Sequence, residues 1–96
     1  MDIEKLLKEL GLKNTGRYDN HFYIIDIDNS NDYAKMYSLL DEKAINTEYS
    51  SFGTNKSNNT IKVTNYFEKD VDNVTYMLFL IADFENDTYY LKIREK

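Results

Sequence analysis

The clearest run of oxygen-bearing side chains at ligand-like spacing is Asp26-x-Asp28-x-Ser30-x-Asp32. Oxygens at alternate positions are what a calcium loop presents, but a loop of that kind starting at Asp26 needs Gly at 31 and Glu at 37. The chain has Asn31 and Tyr37 instead, and the segment before it reads as a strand rather than a helix. Turn and helix-cap chemistry accounts for these oxygens, so neither a metal nor a cofactor is expected.

Other catalytic equipment is equally thin. His21 is the single His, beside a strand start, where the side chain is structural or faces solvent. There is no Cys, which removes thiolate nucleophiles, disulfides and Cys-based metal sites together. The three Gly, at 11, 16 and 53, build no phosphate-cradling loop, and no Ser lies in a nucleophile elbow. Two of Asp26, Asp28 and Asp83 could meet as a carboxylate pair, which would suit a small metal-dependent hydrolase, but no spacing specifies that meeting. A non-catalytic protein is the expectation.

The elements that must position these side chains form one domain over residues 1–96, since this length leaves no room for a second core. The hydrophobic fraction of 42% is ample for a packed interior. Residues 2–10 read as a helix: Ile3, Leu6, Leu7 and Leu10 share a stripe, Asp2 is placed to cap it, and Gly11 to close it. Residues 14–20 read as a loop and 21–27 as a strand. Asn29 then caps a second helix over about 30–44, with Tyr33, Met36, Tyr37, Leu40 and Ala44 on its inner stripe.

Strands follow at 45–52, 60–68, 74–84 and 88–94, with Gly53–Asn59 as a polar loop and turn residues at 70–73 and 86–87. The predicted class is therefore α+β. It is a two-layer sandwich of a mixed, mostly antiparallel sheet of about five strands with two short helices, in the order α-β-α-β-β-β-β.

The strand at 74–84 decides what function can be argued. It carries Val74, Tyr76, Leu78, Leu80, Ala82 and Phe84 on one face, and Thr75, Met77, Phe79, Ile81 and Asp83 on the other. A half-exposed strand alternates apolar with polar, whereas this one is apolar on both sides in its middle. If Leu78 and Leu80 point into the main core, the reverse face presents Tyr66, Met77, Phe79, Ile81 and Tyr90, with Lys62, Lys92 and Arg94 around them. Three things could meet it: the first helix, a protein surface (a second copy or a foreign partner), or a single-stranded nucleic acid stacking on the rings.

Charge separates these readings in part. The formal net charge is −5. Acids gather between residues 19 and 48, where Asp19, Asp26, Asp28, Asp32, Asp41, Glu42 and Glu48 outnumber the bases Lys35 and Lys43. Such a balance disfavours a phosphate backbone, which is gripped by Lys and Arg, and suits a basic protein surface. The longest apolar run, 76–82, is too short to span a bilayer as a helix, and the first twenty residues are not a secretory leader, so a cytoplasmic protein without a membrane role is expected.

The resulting expectation is a small acidic binding protein, of the inhibitor or toxin-immunity type carried by phages and mobile elements. It would use the acidic segment, the aromatic sheet face or both, and could also pair with itself as a homodimer. The rivals are the nucleic-acid binder and the hydrolase.

Overall fold

The computed structural model describes residues 2–55 and 60–96, with side chains outside residues 46–61. In chain order the elements are α1 (Ile3–Leu10), β1 (Arg17–Asp19), β2 (Phe22–Ile27), α2 (Ser30–Lys43), β3 (Ile45–Asn55), β4 (Thr60–Val71), β5 (Val74–Asp83) and β6 (Thr88–Glu95). The strands form one sheet in the order β1-β2-β6-β5-β4-β3, antiparallel throughout rather than mixed. The α+β class and the element order are those expected, with the three-residue β1 added inside the stretch read as a loop. β3 continues through Gly53 to Asn55, so that part of the second expected loop is strand; residues 56–59 lie outside the described ones.

The helix ends follow from their cap residues. Asp2 accepts a hydrogen bond from the Lys5 amide, satisfying one of the amides a helix start leaves unpaired. At the other end Gly11 takes a left-handed φ of 75°, which lets the Leu12 amide reach back to the Leu7 carbonyl and the Gly11 amide to that of Lys8. Asn29 accepts from the Asp32 amide at 2.9 Å and starts α2 in the same way. Two tight turns set the hairpins. Asn20–His21 and Asp72–Asn73 both hold two successive residues at positive φ, the backbone whose twist matches antiparallel strands.

Both helices pack on the same side of the sheet. Ile3, Leu6, Leu7 and Leu10 of α1 and Leu40 of α2 share one cluster with Tyr23, Ile25, Phe67, Tyr76, Leu78, Leu80, Leu91 and Ile93. Tyr37 of α2 meets the Phe67 ring at 5.7 Å, and Lys5 of α1 pairs with Asp72 at the β4–β5 turn. The inner row Phe67–Leu78–Ile93–Tyr23 crosses β4, β5, β6 and β2 in register, every member at most 2% exposed. Burying it stabilises by roughly 1.5–3 kcal/mol per large side chain, so this layer holds the fold. Among the described side chains the inward amide of Asn65 donates to the Tyr33 hydroxyl at 2.9 Å and so keeps a partner.

Candidate functional site: the outer sheet face

Strand alternation sends Phe22, Ile24 and Asp26 of β2, Tyr90, Lys92 and Arg94 of β6, Met77, Phe79 and Ile81 of β5, and Thr64, Tyr66 and Glu68 of β4 to the opposite face. No described helix lies over it. Of the three alternatives for this face, cover by the first helix fails, because the whole apolar stripe of α1 is committed to the inner cluster.

The face shelters itself with its own side chains. Ile24 and Ile81 are only 8% and 9% exposed, while Phe22, Tyr66, Met77, Phe79 and Tyr90 stay half-buried. Tyr66 lies beside Phe79 with ring centroids 5.0 Å apart, and Phe22 meets Phe79 edge-on at 6.2 Å. The Lys92 ammonium sits 4.2 Å from the Phe22 ring centre, and the Arg94 guanidinium 5.4 Å from it. A continuous aromatic strip, Phe22–Phe79–Tyr66, thus runs across the sheet with two cations on its flank.

Ion pairs border the strip. Arg17 pairs with Asp26 at 2.5 Å, and Lys96 pairs with Glu68 at 2.6 Å. Glu68 also accepts from the Tyr66 hydroxyl at 2.8 Å. The Lys96 hydrogen bond, seconded by that of Tyr66, holds the Glu68 carboxyl below its ordinary range. Burial, reinforced by the Glu68 carboxylate, pushes the Tyr66 phenol up to about 12. A shallow open groove of about 330 Å³ lies between Arg17 and Asp19 on one side and Thr88, Tyr90 and Lys92 on the other, floored by Ile24 and Asp26.

The sheet-face residues expected from sequence, Tyr66, Met77, Phe79, Ile81 and Tyr90, are therefore brought together. Phe22 and Ile24 belong with them and were missed. The signal was present, because β2 is also apolar on both sides, but nothing in the chain says that β2 lies beside β6.

The acidic segment is not gathered in this way. Asp26 faces outward and is held by Arg17. Asp28 is exposed beyond the end of β2, and Asp32 sits in the first turn of α2. Asp41 and Glu42 are exposed in its last turn, about 14–15 Å along the axis from Asp32 at the rise of an α-helix. Glu48 has its side chain outside those described.

His21 and Asp83 both lie at turns. His21 is a turn residue at φ 72°. Asp83, 5% exposed, accepts from the Asn86 side-chain amide at 2.9 Å and from the Asn86 backbone at 3.2 Å, bonds that together lower its pKa and close the β5–β6 turn. Among the described residues no group of three His, Cys, Asp or Glu side chains could hold a metal ion, and no helix is long and apolar enough to cross a membrane. Neither a family model, nor a curated protein, nor a solved structure matches the chain.

Proposed function

We propose that this chain is a non-catalytic protein-binding module that docks through its outer sheet face, as a small acidic inhibitor or immunity-type protein would. The observation that carries the reading is the aromatic strip Phe22–Phe79–Tyr66 with Met77 and Ile81 beside it, a contiguous apolar surface over which neither helix lies. Aromatic side chains ringed by polar groups are the usual anchors of protein interfaces, and patches of this kind are uncommon on a surface with no partner. The ion pairs Arg17–Asp26 and Lys96–Glu68 would form the polar rim.

A stacking platform for single-stranded nucleic acid would use some of the same residues. Against it, the Phe22 ring is already occupied by Lys92, and the chain carries −5 overall. Stacking binders need open ring faces and a cationic track for the backbone.

Capture with a tagged chain from its native cell, followed by calorimetry with the purified partner, tests the reading. Phe79→Asp should abolish binding, whereas the double change Asp41→Asn and Glu42→Gln should leave it intact. The reverse pattern would move the docking surface to the helix layer and end this proposal.

A further inference from the structure

Granting that the outer face is the docking surface, its charges point to what docks there. Arg17 is neutralised by Asp26 and Lys96 by Glu68, while Lys62 stands directly across from Asp83. Lys92 and Arg94, two residues apart on β6 and so on one side of it, enter none of the ion pairs among the described residues. Both lean on Phe22, which positions their charges without cancelling them. Lys92 occupies the middle of the cross-strand row Ile24–Lys92–Phe79–Tyr66, and Arg94 stands opposite Met77. The centre of the face is therefore an apolar floor carrying two uncompensated cations, on a chain of opposite net charge.

We infer that the occupant is an acidic segment of a foreign protein, one that sets carboxylates on Lys92 and Arg94 and an apolar side chain against Phe79 and Tyr66. A carboxylate can take the planar fork of Arg94 through two hydrogen bonds, and the Lys92 ammonium supplies a second, less directional contact. A second copy fits less well. A twofold pairing centred here would bring the same patch against itself and set Lys92 and Arg94 near their own counterparts. A nucleic acid would need more cations than these two to displace its counterions.

The test is to pan random peptides displayed on phage against the immobilised chain, then to measure affinities of the recovered peptides. Recovered sequences should be rich in Asp and Glu beside aromatic or aliphatic residues. The double variant Lys92→Met and Arg94→Met keeps the aliphatic stems over Phe22 while removing both charges. It should weaken those peptides by about thirtyfold or more, with an unchanged circular dichroism spectrum.

An empty selection, a pool without acidic enrichment, or indifference to the Met variant would overturn the inference. Loss of binding in Phe79→Ser but not in the Met variant would keep the face as a docking surface and remove only the acidic chemistry. Indifference to both would remove the docking face itself. Binding of labelled oligothymidylate, or a dimer by light scattering that the Met variant dissolves, would give the face a different occupant and likewise overturn the inference.

Discussion

The Lys92 ammonium rests 4.2 Å from the centre of the Phe22 ring, joining β6 to β2 on the side of the sheet away from both helices. A cation over a ring at a partly exposed site contributes about 0.5–1 kcal/mol. Lys92→Met, which keeps most of the stem, should therefore cost less than about 1 kcal/mol in urea unfolding. A larger loss would show that Lys92 holds the fold as well as presenting a charge.

Adjacent positions on β5 should respond very differently. Leu80 is fully buried in the inner cluster, and Leu80→Ala should cost about 2–5 kcal/mol through lost burial and the cavity left behind. Phe79 next to it has no helix above it, so Phe79→Ala should cost clearly less than the loss usual for a core aromatic, about 3–5 kcal/mol. Chemical denaturation of both variants measures the contrast. Equal losses would mean that the outer face is as tightly packed as the inner one.

Tyr66 gives the face a spectroscopic handle. Its pKa in the folded protein is raised to about 12, by burial first and then by Glu68. A group whose folded pKa is raised stabilises the fold fully below its unfolded value, about 10 for tyrosine. That contribution fades as pH climbs from there through about 12. Ultraviolet titration of Glu68→Gln should show Tyr66 ionising at lower pH than in the parent chain, yet still above an ordinary tyrosine, because burial remains.

His21 and Gly16 report on the first hairpin. At φ 72°, His21→Gly should be neutral or stabilising by up to about 1 kcal/mol, whereas His21→Val should destabilise by about 1–2 kcal/mol. A Cβ on Gly16 would stand 2.3 Å from the Ile24 carbonyl oxygen and 2.7 Å from the Tyr23 ring. Neither neighbour is a flexible side-chain end, so Gly16→Ala should cost about 1–3 kcal/mol in thermal or urea unfolding.

Much of this architecture is legible in the residues because each helix carries its own boundary chemistry. Asp2 and Gly11 bracket α1, Asn29 opens α2, and the two-sided apolar pattern of β5 marks an interior strand of the sheet. Alternation assigns side chains to faces but says nothing about which strands are neighbours. Phe22 and Ile24 could therefore be seen on one side of β2, but not placed next to Lys92 and Phe79. β1 escaped notice because three residues, Arg-Tyr-Asp, are too few to show a period. The acidic residues lie close together in sequence, but Asp32 and the pair Asp41 and Glu42 stand at opposite ends of α2.

The insertion of β6 between β2 and β5 ties the two parts of the sheet together in time as well as in space. β2 is formed early in the chain, yet its long hydrogen-bonding partner is residues 88–95, and β1 alone gives it only a three-residue hairpin. The meander β3–β4–β5 can assemble locally, but the segment through β2 must wait for a strand more than sixty residues downstream. The aromatic strip spans that seam, since Phe22 lies on one side of β6 and Phe79 on the other. A nascent or truncated chain lacking β6 therefore has no assembled aromatic strip, and the outer face takes shape in the same step that closes the core.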